Sequence, residues 1–173
     1  GVEHRIETVR ELDGVEYIGY RAFNGCSSLT LTGLPQKLRY ICKYAFSNCP
    51  NLLVTYLPPR LHAVDGNAFE SCTNLRLLSM PHSVVTIGAS AFSRCSNITV
   101  SALPVNLTYL GGQAFYMCAK ITVSELPNQL TSLNGNVFRG CNSITSLTIN
   151  AGMQTIASWA VPQCTGLQSI TFL

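Results

Sequence analysis

Charge is scarce in this chain. Only 11% of its 173 residues are Asp, Glu, Lys or Arg, against the ~25% of an average globular protein. With 47% hydrophobic residues, an intrinsically disordered polyelectrolyte is excluded, and the length suits one domain with a sizeable core. Acid is scarcest of all. Glu3, Glu7, Glu11, Asp13 and Glu16 crowd the start, and from Tyr17 onward nine basic residues face three acidic ones. The bases stand singly and form no stripe along one face, so no nucleic-acid partner is expected. Long hydrophobic runs are missing too. Nothing approaches the ~18 uninterrupted apolar residues of a membrane helix, so no membrane insertion is expected.

The groups that carry catalysis are equally thin. The three histidines, His4, His62 and His82, fall at unrelated places in the repeat described below. Asp65 follows His62 by three residues, but no Ser or Cys nucleophile aligns with the pair. Phosphate-cradling glycine loops are absent. No catalytic residue, cofactor or metal site is expected, and the chain does not read as an enzyme. It opens on Gly1 without a signal-like segment and closes on the apolar stretch Ile170-Thr171-Phe172-Leu173. The expectation is one domain over 1–173, cut from a longer protein. Its acidic start would be a polar edge, and its C-terminal strand an open one suited to edge-to-edge self-association.

What the chain does have is a period. Cysteine recurs at 26, 49, 72, 95, 118, 141 and 164, always 23 residues apart. Phenylalanine keeps the same step at 23, 46, 69, 92, 115 and 138, proline at 35, 58, 81, 104 and 127, and Ala or Val precedes each phenylalanine. Numbering each unit so that its cysteine is position 23, positions 3, 12 and 15 are apolar throughout, and position 8 is apolar from Leu34 onward, as in Leu52, Leu57, Leu61 and Val64. A 23-residue unit cannot bury such a set alone, whereas stacked coils turn every column into a continuous ridge. Positions 3–8 read as a short strand ended by proline at position 9. Positions 12–15 read as a second extended piece. Glycine at position 16 or 17 (Gly19, Gly66, Gly88, Gly111, Gly135) suits a tight turn, and the AFxxC segment suits one helical or 3₁₀ turn with Ala and Phe inward.

The unit SCTNLRLLSMPHSVVTIGASAFSRC, Ser71 to Cys95, resembles the BspA-type leucine-rich repeat, also described as the Treponema-pallidum-type repeat. The likeness runs from about Ile6 to Leu173. It implies an α/β repeat: a curved, parallel β-solenoid of seven 23-residue coils plus a partial one, with the longer strands on the concave face and short helical or 3₁₀ turns on the convex side. It also implies a surface or secreted protein that adheres to or recognises a protein ligand, such as a host surface or matrix protein. The family pattern contains no catalytic residues.

Cysteines in one column point the same way, which disfavours disulfides between neighbours, and a buried thiol packs as a small hydrophobe. Its S–H can reach a backbone carbonyl in the turn. Cys42 lies outside the column, at position 16, either as a small turn residue or as an accessible thiol.

The strands take two forms. In one, positions 3, 6 and 8 are apolar (Leu75, Leu78, Met80; Ile144, Leu147, Ile149; Leu167, Ile170, Phe172, and at the start Ile6 and Val9). In the other, positions 3, 5 and 8 are (Leu29, Leu31, Leu34 and three later units). The order suggests a 69-residue super-period, read as block duplication or as a patterned face. Alternation in a strand then sends outward Thr30, Thr32, Leu53, Thr55, Thr99, Ser101, Thr122 and Ser124. From the first form it sends outward Leu77, Ser79, Ser146, Thr148, Ser169 and Thr171. This Thr/Ser face, with Tyr56 and Leu77 as its large central groups, is the expected protein-binding surface. A structural spacer and a carbohydrate-binding face are the alternatives. Tyr17, Tyr40 and Tyr109 form a second row at position 14. Two glycosylation triplets begin at Asn97 and Asn106, and Asn106 is expected to be the more accessible.

Overall fold

The computed structural model describes residues 14–173. His4, Ile6, Val9 and the acidic residues from Glu3 to Asp13 lie outside the described residues. Each 23-residue unit forms one coil, and the described coils stack in parallel. Coil 1 ends at Cys26 and coil 7 at Cys164. The second extended piece is the regular ladder of the stack. Strands β1 (Tyr17–Ile18), β2 (Tyr40–Ile41), β3 (Ala63–Val64), β4 (Thr86–Ile87) and β5 (Tyr109–Leu110) pair in parallel in that order. The register runs Ile18, Ile41, Val64, Ile87, Leu110, so every column is in step with the sequence period. Beyond it, β6 (Ser132–Leu133) pairs with β8 (Thr155–Ile156), and β7 (Ser146–Ile149) pairs with β9 (Ser169–Phe172).

The core is the sum of the columns. Position 12 (Leu38, Leu61, Val84, Leu107) and position 15 (Ile41, Val64, Ile87, Leu110) are fully buried, as are Phe46, Phe69, Phe92, Phe115 and Phe138. Those rings stack from coil to coil, with centroids 5.2–5.9 Å apart and planes within 10° of parallel from Phe23 to Phe138. Position 9 closes a turn in coils 2–7, as in Leu61 N–H to Pro58 O at 3.0 Å. At coil 7 Asn150 replaces the proline. It is buried, and its amide donates to Pro127 O and Leu130 O.

Two expectations are corrected. The AFxxC segment points Ala and Phe inward, but none of the described residues is helical. It is a succession of tight turns with left-handed residues at positions 18 (φ 55–60°, from Arg21 to Trp159) and 22 (Asn48, Ser71, Arg94, Met117 and Gln163, with Gly25 and Gly140). The reason lies between coils. Alternate N–H groups of the turn donate to the next coil, as in Arg21 to Lys43 O, Phe23 to Ala45 O and Gly25 to Ser47 O at 2.8–3.1 Å. A helix would spend those groups within itself. The second correction concerns glycine. At position 16 it serves close approach rather than positive φ: a Cβ on Gly111 would fall on the backbone of Gly88 and Ala89 in the preceding coil.

The first extended piece also differs from expectation. Over positions 3–8, among the described residues, a regular strand forms only in β7 and β9. There the apolar residues at positions 6 and 8 alternate strictly, as in Leu147 and Ile149. In coils 3–6 two consecutive residues, positions 6 and 7, leave the core, which bulges the segment and interrupts pairing. One backbone bond per step spans it: Leu53 N–H to Leu31 O, Arg76 to Val54 O, Thr99 to Leu77 O and Thr122 to Val100 O, at 2.9–3.2 Å.

Candidate functional site: the strand face and the tyrosine corner

The cysteine column is structural. Each Sγ donates to the carbonyl of the preceding coil's phenylalanine: Cys49 to Phe23, Cys72 to Phe46, Cys95 to Phe69, Cys118 to Phe92, Cys141 to Phe115 and Cys164 to Phe138, at 2.9–3.1 Å. All of these carbonyls except that of Phe46 also accept the N–H of their own coil's cysteine, as in Cys72 N–H to Phe69 O at 3.1 Å. Thiol and amide thus share one buried oxygen and join neighbouring coils. Burial disfavours the thiolate. It pushes Cys49 up to about 11 and Cys72 up to about 12, and Cys95, Cys118 and Cys141 well above the usual thiol value. All eight cysteines are free, and Cys26 is exposed. Cys42 is buried rather than accessible. It lies beside the Tyr17 hydroxyl and raises that tyrosine's pKa.

The strand face is the first candidate surface. Thr30, Thr32, Thr55, Ser79, Thr99, Ser101, Thr122 and Ser124 are all exposed on it. Leu53 (39%) and Tyr56 (48%) emerge as expected, on coil 3. Leu77 does not. It is fully buried (0%), and its neighbour Leu78 is 66% exposed. Coil 4 therefore packs Leu75, Leu77 and Met80 inward, in the second strand form, and the 69-residue super-period does not extend to the packing. Both residues are leucine, so the local pattern permits either register. The neighbours decide. Leu31, Val54, Leu77, Val100 and Val123 make one buried column, and the bonds through Val54 O and Leu77 O hold coil 4 in its neighbours' register.

The sequence thus holds the signal for Leu78, but it is the continuity of a column across coils and not the pattern within one. Leu77→Ala should cost ~2–5 kcal/mol of stability, whereas Leu78→Ala should stay within ~0.5 kcal/mol. Urea denaturation of the two variants checks this, and equal losses would contradict the register.

Leu53, Tyr56 and Leu78 form an apolar island on coils 3 and 4, with Arg76 exposed beside them and hydroxyls around them. The bulge adds a second property. The N–H groups of Thr55, Tyr56, Leu78 and Ser79 make no backbone hydrogen bond, and these residues are exposed. The face can therefore offer main-chain donors as well as side chains to a ligand.

A second surface lies where the short ladder meets the turns of coils 1 and 2. Tyr17 and Tyr40 adjoin as expected, with centroids 6.4 Å apart, and Tyr40 meets His62 edge-on at 5.9 Å. Next to them, unanticipated from sequence, Arg21 lies over both Tyr20 (5.1 Å) and Tyr44 (5.2 Å), and Lys43 lies over Tyr44 (5.4 Å). Arg39 covers Tyr40 at 5.8 Å. Of the two glycosylation triplets, Asn106 is exposed and Asn97 half-buried. Their amides donate to His82 O and Thr73 O respectively.

Stacked 23-residue coils with an inward Leu, Phe and Cys set define a leucine-rich-repeat solenoid. The chain belongs to the family of the BspA type leucine-rich repeat region, whose matches run over residues 3–122 and 62–173 and amount to six copies. Three crystal structures are similar. A leucine-rich repeat protein from Bacteroides ovatus shares 26% identity over 90% of this chain, with a TM-score of 0.80. The leucine-rich repeat protein of T. pallidum shares 28% over 87%, with a TM-score of 0.70. A leucine-rich cell surface protein from Faecalibacterium prausnitzii shares 25% over 92%, with a TM-score of 0.67. The chain spans 40%, 74% and 52% of those three proteins. No curated protein matches it significantly.

Proposed function

We propose that the protein is a non-catalytic recognition or adhesion module of a surface or secreted protein, and that it binds a protein ligand through the strand face of coils 2–6. The observation that carries this reading is the island of Leu53, Tyr56 and Leu78, held outward on a rigid stack and ringed by hydroxyls. Exposed apolar and aromatic groups of this kind become the desolvated centre of an interface, with a polar rim around them. The unpaired peptide groups beside them supply hydrogen bonds that a plain spacer has no use for. The description of the F. prausnitzii relative as a cell surface protein favours an extracellular setting.

The test is binding of the parent and of a Tyr56→Ala/Leu78→Ala variant to an array of purified surface and matrix proteins, with circular dichroism confirming that both are folded. Loss of about a hundredfold in affinity for any ligand bound by the parent is expected, since paired hot-spot truncations each exceed ~1 kcal/mol. Equal binding by both would place recognition elsewhere. The exposed edge of β9, where Ile170 and Phe172 continue the core columns of Leu147 and Ile149 uncovered, is by the same reading a place where a second copy would pair.

A further inference from the structure

The tyrosine corner of coils 1 and 2 has no part in the strand-face reading. Arg21, Lys37, Arg39 and Lys43 place four cations within two coils, and all four are exposed. Among the described residues the acids of coils 1–3 closest in the repeat are Glu16 and Asp65, and no ion pair engages these cations. The Arg21 guanidinium is held instead between two tyrosine rings, Tyr20 and Tyr44 (5.1 and 5.2 Å), which themselves meet edge-on at 6.1 Å. Arg39 rests on Tyr40 and Lys43 on Tyr44. A cation on a ring face is fixed in position without being neutralised, because the ring quadrupole takes none of its N–H groups. A guanidinium held in this way keeps its planar fork free for a carboxylate or sulfate. We propose that this corner binds an anionic polysaccharide, with Arg21, Arg39 and Lys43 contacting its sulfate or carboxylate groups.

Two features favour that ligand class. Nucleic acid needs open aromatic faces on which bases stack, and here the cations Arg21, Arg39 and Lys43 cover faces of Tyr20, Tyr40 and Tyr44. An acidic peptide gains much of its affinity by adding main-chain hydrogen bonds to a free strand edge. At this corner the N–H groups of Arg39, Cys42 and Arg21 are spent between coils, on Glu16 O (2.8 Å), Ile18 O (2.9 Å) and Lys43 O (3.1 Å). Arg21 and Arg39 therefore meet a ligand through their side chains. That suits a polymer whose charge is peripheral and which brings no apolar side chains to bury.

The experiment measures binding of the whole chain to immobilised heparin, as a sulfated probe, and to polygalacturonate, as a carboxylate probe, at several salt concentrations. The parent should bind at least one, with affinity falling as salt rises. The Arg21→Gln/Arg39→Gln/Lys43→Gln variant should lose about tenfold or more. A control that removes three charges elsewhere, Arg60→Gln/Arg94→Gln/Lys120→Gln, should lose less than about threefold. Arg21→Lys keeps the charge but not the fork, and should still lose several-fold. Equal losses in the two triple variants would reduce the effect to net charge and overturn the proposal. So would a parent that binds neither polysaccharide, or one that binds single-stranded DNA or a poly-glutamate peptide more tightly than both. Which probe binds better distinguishes sulfate from carboxylate recognition.

Discussion

Phe92→Ala should lose ~3–5 kcal/mol of stability, the range for deleting a buried phenylalanine. The top of that range is expected, because Phe92 is fully buried and stacks on both sides, with Phe69 at 5.4 Å and Phe115 at 5.5 Å, within 8° of parallel. The cavity would open at the middle of the stack. It cannot collapse by sliding one coil, since the turn is tied to the next coil by Ser90 N–H to Gly112 O, Phe92 N–H to Ala114 O and Arg94 N–H to Tyr116 O at 2.7–3.0 Å. Phe23 stacks on one side only and is half-buried at the N-terminal end of the described stack, so Phe23→Ala should cost markedly less. In a repeat array, stability resides largely in the interfaces between neighbouring units. The central loss should therefore broaden or split the urea transition, whereas the terminal loss shifts it. A Phe92→Ala variant within ~1 kcal/mol of the parent would mean that the ring ladder is not what joins the coils.

How much of this was legible beforehand differs by level. The columns were fully visible, because a constant 23-residue step without insertions leaves one way to stack identical coils, and Ile18, Ile41, Val64, Ile87 and Leu110 do pair in step. The thiol-to-carbonyl bond was legible from the fixed place of cysteine after the turn. Three things were not. The turn looked helical because Ala-Phe-x-x-Cys has helical spacing. The hydrogen bonds that overrule it, such as Phe46 N–H to Ala68 O at 2.8 Å, run to the next coil and leave no mark within one unit. Leu77 and Leu78 were interchangeable by hydrophobicity, and only the column through Val54 and Val100 separates them. The Arg21 clamp was hidden because Tyr20 occupies position 17 and Tyr44 position 18. They meet only because coil 2 places a tyrosine at a left-handed position, φ 60°, where its ring turns toward coil 1. Stacking is readable from a period, while contacts made by departures from the period are not.

The second large effect is expected in alkali: the protein should unfold cooperatively between about pH 9.5 and 11, driven by its cysteine column. In the unfolded chain a thiol titrates near ~8.5. In the fold, burial pushes Cys49 up to about 11 and Cys72 up to about 12, and Cys95, Cys118 and Cys141 are raised well above their ordinary value. The folded state then holds more protons than the unfolded state at any pH between those limits, so stability falls as pH rises. The contribution is fully present below the unfolded value and is lost progressively toward the folded one. Each deeply buried thiol takes away ~1.4 kcal/mol per pH unit. Cys72, Cys95, Cys118 and Cys141 act together because each thiol donates to the coil below, and a thiolate would turn a lone pair toward the phenylalanine carbonyl it now bonds. Against a typical ~5–15 kcal/mol of total stability, four such groups unfold the domain before any of them ionises in place. Circular dichroism against pH gives the midpoint, and urea titrations at stepped pH give the slope. Cys95→Ala/Cys118→Ala should reduce that slope by ~2.7 kcal/mol per pH unit, whatever the two cavities cost at neutral pH. The carbonyls of Phe69 and Phe92 remain paired in this variant through the N–H groups of Cys72 and residue 95. A slope that does not change would locate the alkaline sensitivity in the tyrosines and lysines of the surface and leave the thiols as packing groups alone.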